Sequence, residues 1–178
     1  AGLEFAFYRL GLKYRGFSEV MAFALTGPLL TCGFAWAITG ATSIATVALG
    51  CVFGAISLMY FHLVNFENIM SDDLAGVRTW ATRAGFDASK QFFGFTSALV
   101  LMFGLLFVVV FERDTRLLPV LAAQLVYLFP LLKRVRAIQS PLSSELAGIR
   151  AEALKLSWLT TAVLAAGYLG IWVAGGVG

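Results

Sequence analysis

The chain has 178 residues, 60% hydrophobic and 13% charged, with a formal net charge of +3. A soluble domain keeps its surface wetted with about a quarter charged residues; with a mean hydropathy of +0.85, this chain is excluded from that class. Its charges are also segregated, since no Asp, Glu, Lys or Arg falls between Glu19 and Glu67, from Gln91 to Phe111, from Leu117 to Leu132, or from Leu156 to the C-terminus.

The chain opens on Ala1-Gly2-Leu3-Glu4 with no Met and no signal-peptide pattern. Segment 1–12 reads as the tail of a helix, so a portion upstream of this chain is expected. About 20 apolar residues cross the hydrocarbon core as a helix, and the first uncharged stretch is long enough for two. They are placed at 20–39 and 43–66, with Gly40-Ala41-Thr42-Ser43 as the turn. Pro28 is expected to kink the first, and Gly50 and Gly54 give the second a GxxxG face that permits close helix contact. Further helices are expected at 92–111, 116–133 and 155–175, the fourth kinked by Pro130, with Lys133 and Arg134 snorkelling at its end. The expected fold is an all-α membrane protein of about five transmembrane helices, a single membrane domain over 1–178.

Lys and Arg sort by side. Arg9, Lys13, Arg15, Arg78, Arg83, Lys90, Lys133, Arg134, Arg136, Arg150 and Lys155 share one face, leaving Arg113 and Arg116 on the other. The positive-inside rule makes the first face cytoplasmic and the C-terminus external, in a bacterial inner membrane or its equivalent. The positive charge therefore describes a membrane rim with lipids as partners and gives no reason to expect nucleic-acid binding. Cys32 and Cys51 lie within apolar spans and imply no disulfide framework.

The chemistry lies in the loops of the basic face. If the second helix runs past Phe66, Asn65, Asn68 and Asp72 share one face at three- and four-residue spacing. Oxygen ligands at a membrane surface suit Mg²⁺; the ion suits a diphosphate, whose remaining charge Arg78 and Arg83 are placed to neutralise. An adjoining apolar bundle accepts a hydrocarbon tail. Interfacial charges of this kind are also ordinary rim residues in membrane proteins. His62, the single histidine, reads as a neutral, hydrogen-bonded side chain, and the spans hold too few polar groups for a transport path.

Two loops carry a resemblance. Lys13-Tyr14-Arg15-Gly16-Phe17-Ser18-Glu19, followed by Gly27-Pro28-Leu29, resembles the LKYRGLGE…GPL stretch of 1,4-dihydroxy-2-naphthoate polyprenyltransferases, the menaquinone-pathway members of the UbiA superfamily. Asn65, Asp72, Gly76, Arg78, Thr79, Ala81, Arg83 and Gly85 resemble that family's second aspartate-rich motif, in order and in register. The resemblance implies the C-terminal portion of the UbiA helical bundle, with the upstream half and its first aspartate-rich motif outside this chain. It implies transfer of a polyprenyl group from its diphosphate to a quinone precursor, with Mg²⁺ as cofactor. Asp72 is then the catalytic carboxylate and, with Asn68, the metal ligand, while Asn65, Arg78, Lys13 and Arg15 bind diphosphate. Val64, Glu67, Asn68, Met70 and Asp73 depart from the motif, and only one of its usual carboxylate pair, Asp72, stands in register. That erosion defines the alternative: a catalytically silent UbiA-like subunit that contacts lipid, quinone or pigment and packs against other membrane subunits.

Overall fold

The computed structural model describes residues 18–175. Helices follow in the order α1 (Ser18–Thr39), α2 (Ile44–Glu67), α3 (Ile69–Leu74), α4 (Trp80–Ala84), α5 (Phe86–Glu112), α6 (Thr115–Ala137) and α7 (Ile149–Gly175). All but α3 and α4 belong to the five helical spans long and apolar enough to cross a membrane, and no strand occurs among the described residues. The protein is an integral membrane protein.

Local signals set the ends of the spans. Gly40 takes a left-handed conformation (φ 72°) that closes α1, and Ser43 and Thr46 cap the start of α2 reciprocally. The third and fifth expected helices begin earlier than the apolar stretches do, at Phe86 and Ile149. Their first two turns carry Asp87, Lys90, Arg150, Glu152 and Lys155. A 27-residue helix such as α7 is about 40 Å long, so it outruns a hydrocarbon core of about 30 Å, and its charged turns stand in the headgroup region.

α2 is the central element and packs against α1, α5 and α7, while α6 closes the group by packing on α5 and α7. Its buried face supplies Val52, Ala55, Ile56, Met59, Leu63 and Phe66 to the common core. α1 approaches α2 through glycine. A methyl group on Gly27 would stand 2.5 Å from the Gly54 Cα and 2.6 Å from the Gly50 carbonyl oxygen, so the two backbones touch there. The α-helical turn of α1 is broken at this contact, with Gly27 at φ −99° and ψ −108° and Pro28 following. The close contact expected of Gly50 and Gly54 and the distortion expected of Pro28 thus meet at one point. Pro130 behaves differently: α6 is continuous from Leu118 to Ala137 with Pro130 inside it.

Candidate functional site

The charged loops of the basic face gather where α2 ends. α2 runs only one residue past Phe66 as one helix. It stops at Glu67, Asn68 leaves helical geometry (φ −95°, ψ 10°), and α3 starts at Ile69. The break separates the three residues that sequence spacing aligned. Asn65 lies below it, buried between α1 and α2, and its Nδ2 donates to Glu19 Oε1 at 2.7 Å and to Ser18 Oγ at 3.3 Å. Asn68 and Asp72 remain one turn apart, with the Asp72 N–H bonded to the Asn68 carbonyl at 2.8 Å, and both side chains are half-buried.

The chain then folds back over this face. The Gly76 N–H bonds to the Asp73 carbonyl (3.0 Å) and the Val77 N–H to the Asp72 carbonyl (2.8 Å), the reciprocal pair that ends a helix on a left-handed residue. Gly76 supplies that conformation at φ 69°. Thr79, fully buried, caps α4 by accepting from the Thr82 N–H at 3.3 Å, and the Thr82 hydroxyl reaches the Val77 and Thr79 carbonyls. This frame holds a surface cavity of about 430 Å³ lined by Asp73, Gly76, Val77, Arg78, Thr82 and Arg83. Arg78 and Arg83 are exposed, and neither is paired with a carboxylate among the described residues. Two planar, permanently charged guanidinium groups with free donors at one cavity match the geometry of a phosphate group.

Lys13 and Arg15 lie outside the described residues. Among those described, no three His, Cys, Asp or Glu side chains come together as a metal site. Mg²⁺ keeps several waters and is commonly held by one or two carboxylates together with substrate phosphates. Asp72 and Asn68 are not among the residues that line the arginine cavity; as one carboxylate and one amide they make a donor set that suits magnesium only with water and substrate phosphate as its further ligands.

Residues 2–147 match the UbiA prenyltransferase family. The chain belongs to that family. No curated protein and no solved structure matches it. The UbiA match covers α1 to α6 and the whole 64–85 loop region, and ends just ahead of α7.

Three carboxylates near the end of α2 take partners or positions that sequence spacing did not reveal. Glu19, 2% exposed, is the acceptor that fixes Asn65, and its other oxygen accepts from Ser18 Oγ at 2.8 Å. Glu67 ties α2 to the start of α7 by accepting from the Gly148 N–H at 3.1 Å, with Arg150 Nε at 3.7 Å. Asp73 lines the cavity beside the two arginines. Glu19 and Glu67 meet partners 46 and 81 residues away, beyond any local pattern. His62 is fully buried within rings of Phe66, Trp80 and Phe92. Its Nε2 is 2.9 Å from the Ser89 carbonyl oxygen, so that nitrogen carries the proton and donates. The histidine joins α2 to the start of α5 and stands apart from the cavity lining.

Proposed function

We propose that this UbiA-family protein is an active prenyltransferase that moves a polyprenyl group from its diphosphate to an aromatic quinone precursor, with 1,4-dihydroxy-2-naphthoate the acceptor of first choice. The observation that carries the reading is the cavity holding Arg78, Thr82 and Arg83 on the basic face, directly above an apolar helical bundle. A diphosphate belongs at such a cavity and its hydrocarbon tail belongs in the membrane. The acceptor assignment rests on the resemblance of the 13–29 and 65–85 stretches to the menaquinone-pathway enzymes. By the distribution of Lys and Arg, the basic face is cytoplasmic and the C-terminus external.

In this reading Arg78 and Arg83 bind the diphosphate oxygens and take up the charge that grows as the allylic C–O bond breaks. The electron pair of that bond leaves with the diphosphate, the aromatic carbon forms the new C–C bond, and its proton passes to water. Asp72 and Asn68 would hold Mg²⁺, which when bound would supply Lewis-acid stabilisation of the leaving group. Asn65 positions Glu19 and the start of α1 from beneath. The bundle orients the allylic carbon toward the ring and keeps water away.

The test is transfer of a radiolabelled prenyl group by the full-length natural protein. A hydrogen bond to a charged group contributes about 1.5–3 kcal/mol, so Arg78→Gln and Arg83→Gln are each expected to lower transfer by about 10- to 100-fold. Unchanged transfer in both variants would remove the cavity from the mechanism. Absence of transfer by the wild-type protein with every acceptor would favour a silent subunit.

A further inference from the structure

A second groove runs down the bundle between α5 and α6. Gly94, Ser97 and Ala98 form its floor, and Leu125, Phe129 and Leu132 its wall, around a volume of about 290 Å³. The floor is low because its residues are small, and the Ser97 hydroxyl is turned away to the Phe93 carbonyl at 2.8 Å. Leu125 and Phe129 are 53% and 60% exposed. The groove is therefore apolar and open sideways.

Its end at the basic face is cationic. On α6, Leu125, Phe129, Leu132 and Arg136 recur at helical spacing and share one face. Arg136 lines the end of the groove, and its Nη2 lies 3.7 Å from where a side chain on Gly94 would begin. Lys133 stands alongside, its Nζ 4.6 Å from the centre of the Phe129 ring. Neither cation has a carboxylate partner among the described residues. Lys90, one turn before Gly94, is already engaged, donating to the Ile138 carbonyl at 2.8 Å with the Asp87 carboxylate at 3.8 Å. The two unpaired cations thus cap an apolar trough at the depth where α6 leaves the membrane.

We infer that this groove binds an anionic phospholipid, with one acyl chain along Gly94, Ala98 and Phe129 and the phosphodiester on Arg136 and Lys133. Charge selects the occupant: a zwitterionic lipid fills the apolar part equally well, but only a net negative headgroup neutralises unpaired cations at a surface. The groove shares no lining residue with the Arg78–Arg83 cavity, and its binding of lipid does not depend on the protein being an active transferase.

The experiment is native mass spectrometry of the full-length protein in detergent, titrated with an equimolar mixture of phosphatidylglycerol and phosphatidylcholine. One cation at the membrane surface corresponds to about a fivefold preference, so phosphatidylglycerol adducts are expected to exceed phosphatidylcholine adducts by at least that factor. Arg136→Gln is expected to bring the ratio down by about fivefold. Ala98→Phe, on an exposed position, is expected to lower occupancy by both lipids, and Arg113→Gln on the opposite face to change neither. Equal binding of the two lipids by the wild-type protein overturns the inference. So does a preference that survives both Arg136→Gln and Ala98→Phe, or one that inorganic phosphate alone abolishes.

Discussion

The contact between α1 and α2 makes the sharpest stability prediction. A Cβ added to Gly50 would lie 2.6 Å from the Pro28 Cα, 3.0 Å from its nitrogen and 3.2 Å from the Gly27 carbonyl carbon. All three are backbone atoms, so no rotamer change relieves the overlap, and α1 has to move away from α2. Overpacking of this kind costs about 1–3 kcal/mol. Replacing a helical glycine by alanine also brings a gain of about 1 kcal/mol from helix propensity, which would mask the clash in a single variant. Gly33, within α1, has nothing within 4 Å of its Cβ position and provides the reference. The propensity gain cancels between Gly50→Ala and Gly33→Ala, leaving a difference of about 1–3 kcal/mol. Reversible unfolding in mixed dodecylmaltoside and SDS micelles reads that difference. Two variants agreeing within a few tenths of a kcal/mol would refute a glycine-mediated backbone contact.

Other side chains make separate predictions. Asn65→Leu removes the donor to Glu19 Oε1 and is expected to destabilise the fold by about 1.5–3 kcal/mol; the same unfolding assay with an unchanged midpoint would show that the pair contributes nothing. His62→Leu removes the side-chain donor to the Ser89 carbonyl and is expected to cost about 0.5–1.5 kcal/mol, with wild-type prenyl transfer retained by the folded fraction. A loss of turnover in that variant beyond its loss of folded protein would bring His62 into the chemistry. Glu67→Gln weakens the tie to Gly148 and Arg150, and faster amide exchange at residues 148–150 is its expected signature; unchanged exchange would refute the tie.

Much of the fold is legible in the sequence because the bilayer imposes one period and one length. Uncharged stretches locate the five spans, and Gly40 with Ser43 marks their first turn. The helix ends are less legible where charge begins: α5 and α7 continue through Asp87, Lys90 and Glu152 because a helix in the headgroup region tolerates charge that the hydrocarbon core does not. For the candidate site, only part of the geometry is legible in the sequence. Helical spacing puts Asn65, Asn68 and Asp72 on one face, yet the break at Asn68 leaves Asn65 on the buried side of that junction, committed to Glu19. The Gly76 turn and the Thr79 cap are both short-range, and they bring Arg78 and Arg83 to one cavity. The roles of Glu19 and Glu67 depend on contacts between distant helices, which no spacing encodes.

The most direct test of the account is prenyl transfer by the natural full-length protein in proteoliposomes, with and without Mg²⁺, compared with its Asp72→Ala variant at equal helicity. The account predicts Mg²⁺-dependent formation of prenylated 1,4-dihydroxy-2-naphthoate by the wild-type protein and its loss in the variant. Equal turnover by the two proteins would contradict it.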